Sequence, residues 1–140
     1  MTKAIFITIL LAVVSSQTLA HGDHEDRQPL KAQAFIISPK DGDTVSKTFT
    51  VKFGLMGMRV SPAGKEVPNS GHHHLLIDAD TLPDLTKPLG AEVTHFGGGQ
   101  TETTITLEPG KHTLQLILGD HLHKPHNPPV LSKKITVIVE

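Results

Sequence analysis

Gly71-His72-His73-His74-Leu75-Leu76-Ile77-Asp78 sets three consecutive imidazoles at the head of an apolar run that ends in a carboxylate. Read as a β-strand, the run alternates: His72, His74, Leu76 and Asp78 share one face, and His73, Leu75 and Ile77 share the other. Residues two apart on one strand are separated by roughly 6.6 Å, a gap that two imidazoles can close around one metal ion. Further ligands must then come from other strands or loops.

Short apolar runs lie on either side of this stretch, separated by turn residues. Ala34-Phe35-Ile36-Ile37 is a strand stopped by Ser38-Pro39-Lys40-Asp41-Gly42-Asp43, and Thr48 to Phe53 alternates with Phe49, Val51 and Phe53 inward. Gly54 to Val60 continues as a bulged or edge strand, and Ser61 to Gly71 is a loop. Asp80 to Gly90, with Pro83 and Pro88, lacks alternation and reads as a long loop with a single helical turn at most. Thr101 to Leu107 and His112 to Leu118 read as a hairpin around Glu108-Pro109-Gly110-Lys111, whose Pro-Gly pair suits a type II turn. Lys133 to Val139 closes the chain as a strand, with Ile135, Val137 and Val139 inward. The pattern predicts an all-β fold, an immunoglobulin-like antiparallel β-sandwich of about seven short strands; a barrel is the other closed arrangement open to it.

The first twenty residues stand apart from that domain. Lys3 precedes an apolar run from Ala4 to Val14, and small and polar residues from Ser15 to Ala20 follow, the pattern of a cleaved secretory signal peptide. Export to the periplasm or the medium follows, with residues 21–31 as a polar leader and 32–140 as one domain. No cysteine is available for a disulfide, a lipid anchor or a thiolate metal site. Of 13 basic and 14 acidic residues only Lys3 falls in the signal segment, so the remainder is close to neutral and gives no basic patch for nucleic acid.

Ten histidines, with no tyrosine, tryptophan or cysteine, are the compositional anomaly. They support a metal site built from His72 and His74 on one strand face, His95 ahead of Gly97-Gly98-Gly99, and His123 or His126 from the Pro-rich loop. Imidazoles without thiolates suit Cu(II), zinc and nickel, and Met56 with Met58 could add thioethers for Cu(I). His21 and His24, with Asp23, offer a terminal chelate, at the cost of ordering a mobile leader. In the competing view the histidines are structural: they brace irregular backbone by hydrogen bonding, and His73 and His112 are satisfied core residues.

Together, Ile37 to Gly42, Gly57-Met58, Pro62-Ala63-Gly64, Gly71 to Asp78, His95-Phe96-Gly97, Gly99 to Glu102, Pro109-Gly110 with His112 to Leu116, and Gly119-Asp120 to Val130 resemble the exported bacterial family called domain of unknown function 4399. The resemblance spans about residues 33–139 and implies export and a motif set whose histidines are His72, His73, His74, His95, His112, His123 and His126. His121 and His21 do not match family positions. In architecture the chain is also similar to small periplasmic copper-carrier domains of immunoglobulin-like type.

The function expected is a transition-metal carrier or scavenger, copper first and zinc second, whose ligands are His72, His74, His95, His123 and His126. The alternative is a non-catalytic module binding a protein or peptide, with Pro125, Pro128 and Pro129 stiffening an extended loop for a partner. A metal-dependent hydrolase comes third: the chain has no Gly-x-Ser-x-Gly elbow, no His-Glu-x-x-His helix and no cysteine nucleophile, so no catalytic residue is assigned.

Overall fold

The computed structural model describes residues 30–140. The segments expected to be a signal peptide and most of a leader, His21 and His24 included, lie outside them. Among the described residues nine strands form: β1 (Gln33–Ser38), β2 (Thr44–Val45), β3 (Thr48–Met56), β4 (Arg59–Val60), β5 (Ser70–Ile77), β6 (Thr94–His95), β7 (Glu102–Thr106), β8 (Gly110–Gly119) and β9 (Ile135–Val139). They make two sheets, β1-β3-β7 and β2-β9-β8-β5-β4, with β6 added to β5. All six strands of five or more residues pair antiparallel, while the two-residue strands β2 and β4 run parallel to β9 and β5. Among the described residues no helix is long and apolar enough to cross a membrane.

The alternation of β3 explains how the sheets meet. Phe49, Val51 and Phe53 are buried, and Thr48, Thr50 and Lys52 are exposed. On the exposed side Thr48 and Thr50 share hydroxyl hydrogen bonds with Thr106 and Thr104 of β7, at 2.8 and 3.2 Å, a cross-strand ladder that fixes the register. The inward phenylalanines and valine share a core with Leu75 of β5, Leu114, Leu116 and Leu118 of β8, and Val137 and Val139 of β9.

One expected pairing is corrected. Pro109-Gly110 does not close a hairpin, because β7 pairs with β3 whereas β8 pairs with β5 and β9. The turn instead carries the chain from one sheet to the other. Alternation gives each strand an apolar face, and Ile105 and Leu107 pack on the same core as Leu114 from the opposite side. The pattern is identical whether two successive strands lie side by side or face to face.

The long loop after β5 has no helical turn. Its Leu89 and Val93 cover the outer face of the larger sheet and form a second cluster with Leu76 and Ile117. β5 is therefore buried on both faces, which is unusual for an antiparallel strand and matches its lack of polar alternation. The Pro-rich segment between β8 and β9 lies on the same sheet, tied by Leu118 N–H to Val130 O at 2.9 Å and Ser132 N–H to Leu116 O at 3.0 Å. It joins the neighbouring antiparallel strands β8 and β9, and it delivers His123 to the outer face of β5.

Candidate metal centre

Alternation along β5 divides its three histidines as expected. His73 turns inward and its ring lies 5.3 Å from that of Phe53. His72 and His74 turn outward, with ring centroids 4.5 Å apart. All three are fully buried. His95 on β6 stands opposite His74 in the ladder, and Gly119 on β8 stands opposite His72. Gly119 leaves room for imidazoles, since a β-carbon there would lie 2.6 Å from His74 Cε1.

The rings converge on one atom. His123 Nδ1 lies 3.0 Å from His72 Nε2, 3.2 Å from His74 Nε2 and 3.2 Å from His95 Nδ1. In a neutral ring His123 Nδ1 offers one proton or one lone pair, so it makes one well-directed hydrogen bond, and the other two contacts must share it at poorer geometry. A cation removes that conflict, because each nitrogen then points a lone pair at it. Metal–nitrogen bonds of about 2.0–2.1 Å put neighbouring ligand atoms roughly 2.9 Å apart at a right angle and about 3.3 Å apart in a tetrahedron, which brackets the three distances to His123 Nδ1. The donor nitrogens of His72, His74 and His123 all lie within 4.8 Å of one another.

Two further features fit ligation. His95 Nε2–H donates to Gly90 O at 2.8 Å, which leaves Nδ1 of the neutral ring with its lone pair toward His123 and orients the ring as outer hydrogen bonds orient metal-bound histidines. Burial, then the neighbouring rings of His123 and His95, lowers the His72 pKa to about 4. Burial, followed by the rings of His72, His95 and His123, lowers that of His74 to about 3. Both rings are therefore neutral at pH 7, the state a metal needs.

The other sequence-level candidates are placed as follows. His126 is not among the rings that meet at His123. Its Nε2 is buried without a hydrogen-bond partner, near the position a β-carbon on Gly71 would occupy, and its ring borders a cleft of about 630 Å³ with Met58, Ser70, Asp120 and His121. Met58 packs at the edge of the main core and Met56 is exposed on β3. His112 is satisfied, by Asp78 Oδ2 at 2.6 Å from Nδ1 and by Glu108 O at 2.8 Å from Nε2. His73 departs from the expected satisfied core residue, since neither of its nitrogens has a partner. Burial first and His72 second lower its pKa to about 4. Replacing His73 by leucine removes two unpaired polar atoms from an apolar site and should stabilise the metal-free protein by about 1–3 kcal/mol without altering metal affinity, as thermal melting and metal titration will show.

Gly90, Gly119 and Asp120 were not recognised from sequence as supports of the cluster. Gly90 acts through its carbonyl, which carries no sequence signal. Gly119-Asp120 did carry one, as an Asx-type turn directly ahead of the histidine loop.

Fold and site together define a class: an all-β sandwich whose outer face buries an imidazole cluster, with His72, His74 and His123 geometrically able to hold a metal ion. The chain belongs to the family described as Domain of unknown function (DUF4399), whose sequence model matches residues 51–140. No curated protein matches the chain. Among solved structures, the endo-beta-1,4-mannanase from Thermotoga petrophila aligns with a TM-score of 0.47 and 16% identity, over 83% of this chain and 21% of that protein's length.

Proposed function

We propose that this chain is an exported transition-metal-binding domain that carries or sequesters its ion, with Cu(II) first and zinc second. The observation that supports this most strongly is the meeting of three imidazole nitrogens at 3.0–3.2 Å around His123 Nδ1, which in a neutral ring has only one proton or one lone pair to offer them. His72, His74, His95 and His123 are the ligands. All four donors are imidazole nitrogens, which suit Cu(II) and zinc, and at an equivalent nitrogen site copper binds more tightly. His72, His74 and His123 form the group able to hold an ion. His95, whose Nδ1 lies 3.2 Å from that of His123, takes the fourth position that a catalytic zinc keeps open for water or substrate, which favours a carrier over a hydrolase. Export rests on the signal-like residues 3–20.

The test is elemental analysis of untagged protein purified from its export route, followed by copper and zinc titration of wild type and His74→Ala. One equivalent of metal in the wild type, lost in the variant, is the expected result. Weak binding that the substitution leaves unchanged would contradict the proposal and favour structural histidines with a partner at the Pro-rich loop.

A further inference from the structure

His123, the hub of the cluster, sits on a five-residue loop and has a left-handed backbone, with φ of 63°. Such a conformation is uncommon for a residue with a β-carbon and must be imposed by its surroundings. The loop shows what imposes it. Asp120 Oδ1 accepts hydrogen bonds from Leu122 N–H at 2.8 Å and Lys124 N–H at 3.0 Å, the residues on either side of His123. Asp120 O accepts from His123 N–H at 2.9 Å, and Asp120 N–H donates to Lys124 O at 2.8 Å. Four hydrogen bonds therefore run from one aspartate into the turn that carries the hub, and two of them depend on its side chain.

We infer that Asp120 is a positioning residue of the metal centre: its carboxylate clamps the amides flanking His123 and thereby aims Nδ1 at His72, His74 and His95. This rests on the metal-binding proposal above. Other anchors hold the loop to the body of the domain, one of them on the carbonyl of His123 itself. Gly64 N–H reaches His121 O at 2.8 Å and Leu89 N–H reaches His123 O at 2.9 Å, both bonds between backbone groups. Without the clamp, His123 can relax from the left-handed region and its ring swings off the common point, so a preformed site becomes one that the ion must order.

Asparagine separates clamping from charge, since its side-chain oxygen can accept the same two hydrogen bonds. The experiment measures Zn(II) dissociation constants by chelator competition for wild type, Asp120→Asn and Asp120→Ala, alongside melting of the metal-free proteins. Asp120→Ala should weaken zinc about 10- to 100-fold, the usual effect of losing an outer support of a metal ligand, and Asp120→Asn should stay within about threefold of wild type. Wild-type affinity in Asp120→Ala would overturn the inference, and so would an equal loss in both variants, which would make charge the cause. Should Asp120→Ala not fold, Asp120→Ser takes its place: its shorter hydroxyl should bind zinc less tightly than Asp120→Asn, and affinity equal to that of Asp120→Asn would overturn the inference. Failure of the wild type to bind zinc would instead count against the metal-binding proposal itself.

Discussion

Replacing His123 by alanine is expected to abolish stoichiometric metal binding, with a fall in affinity of at least about a hundredfold. The expectation follows from the cluster's geometry, in which His123 Nδ1 is the one atom in contact with all three other rings. Loss of a mere outer support typically costs 10- to 100-fold, so loss of the shared ligand sets a floor at the upper end of that range. His95→Ala should cost less, because its ring is exposed and water can take the vacated position. His112→Ala is the control. Its nitrogens are committed to Asp78 and Glu108, so its loss should lower stability and leave metal affinity unchanged. Competition titrations of the three variants test this order, and equal affinities for His123→Ala and His112→Ala would refute it.

The second large effect is on stability against pH. Burial holds the imidazoles of His72 and His73 at pKa values of about 4 and that of His74 at about 3, against an ordinary value of 6.5. At these three groups the unfolded chain binds more protons than the folded one between those limits, so their contribution is full above about pH 6.5 and falls as the pH drops toward 4. It is opposed in part by His112, whose pKa is raised by its hydrogen bond to Asp78. Each pH unit is worth about 1.4 kcal/mol per fully affected group. Coupling among neighbouring rings reduces the sum, and several kcal/mol between pH 7 and pH 5 remains. The melting temperature of the metal-free protein should fall on the order of ten degrees over that interval. His73→Leu should make the dependence shallower, because the leucine does not titrate. With metal bound, the acid limb should steepen, since protons and the ion compete for the same nitrogens. A flat profile from pH 7 to pH 5 would show that the histidines are not held neutral by burial.

How far the sequence carried this picture depended on which residues alternate. The two faces of β5 were legible because a two-residue period separates His73, Leu75 and Ile77 from His72, His74 and Leu76 whatever the topology. The inward set Phe49, Val51 and Phe53 was legible for the same reason. Sheet membership was not, because β7 and β8 point apolar faces into one core from opposite sides and a strand's own pattern is blind to that. The long loop after β5 read as uncommitted chain, yet Leu89 and Val93 bury the outer face of the sheet; two apolar residues among prolines and charges set no period. Within the cluster, His72 and His74 came from spacing alone. The choice between His123 and His126 needed the turn made by Asp120, which points one imidazole into the cluster while the other lines a neighbouring cleft. His73 was misjudged as satisfied because composition cannot show that its ring lies against Phe53 with no partner for either nitrogen.

X-ray absorption spectroscopy of the protein loaded with one equivalent of copper or zinc tests the central claim most directly. The predicted spectrum has nitrogen neighbours at about 2.0 Å and the outer scattering of three to four imidazole rings, and it loses ring scattering in His123→Ala. A spectrum dominated by oxygen neighbours, or one that His123→Ala leaves unchanged, would contradict it.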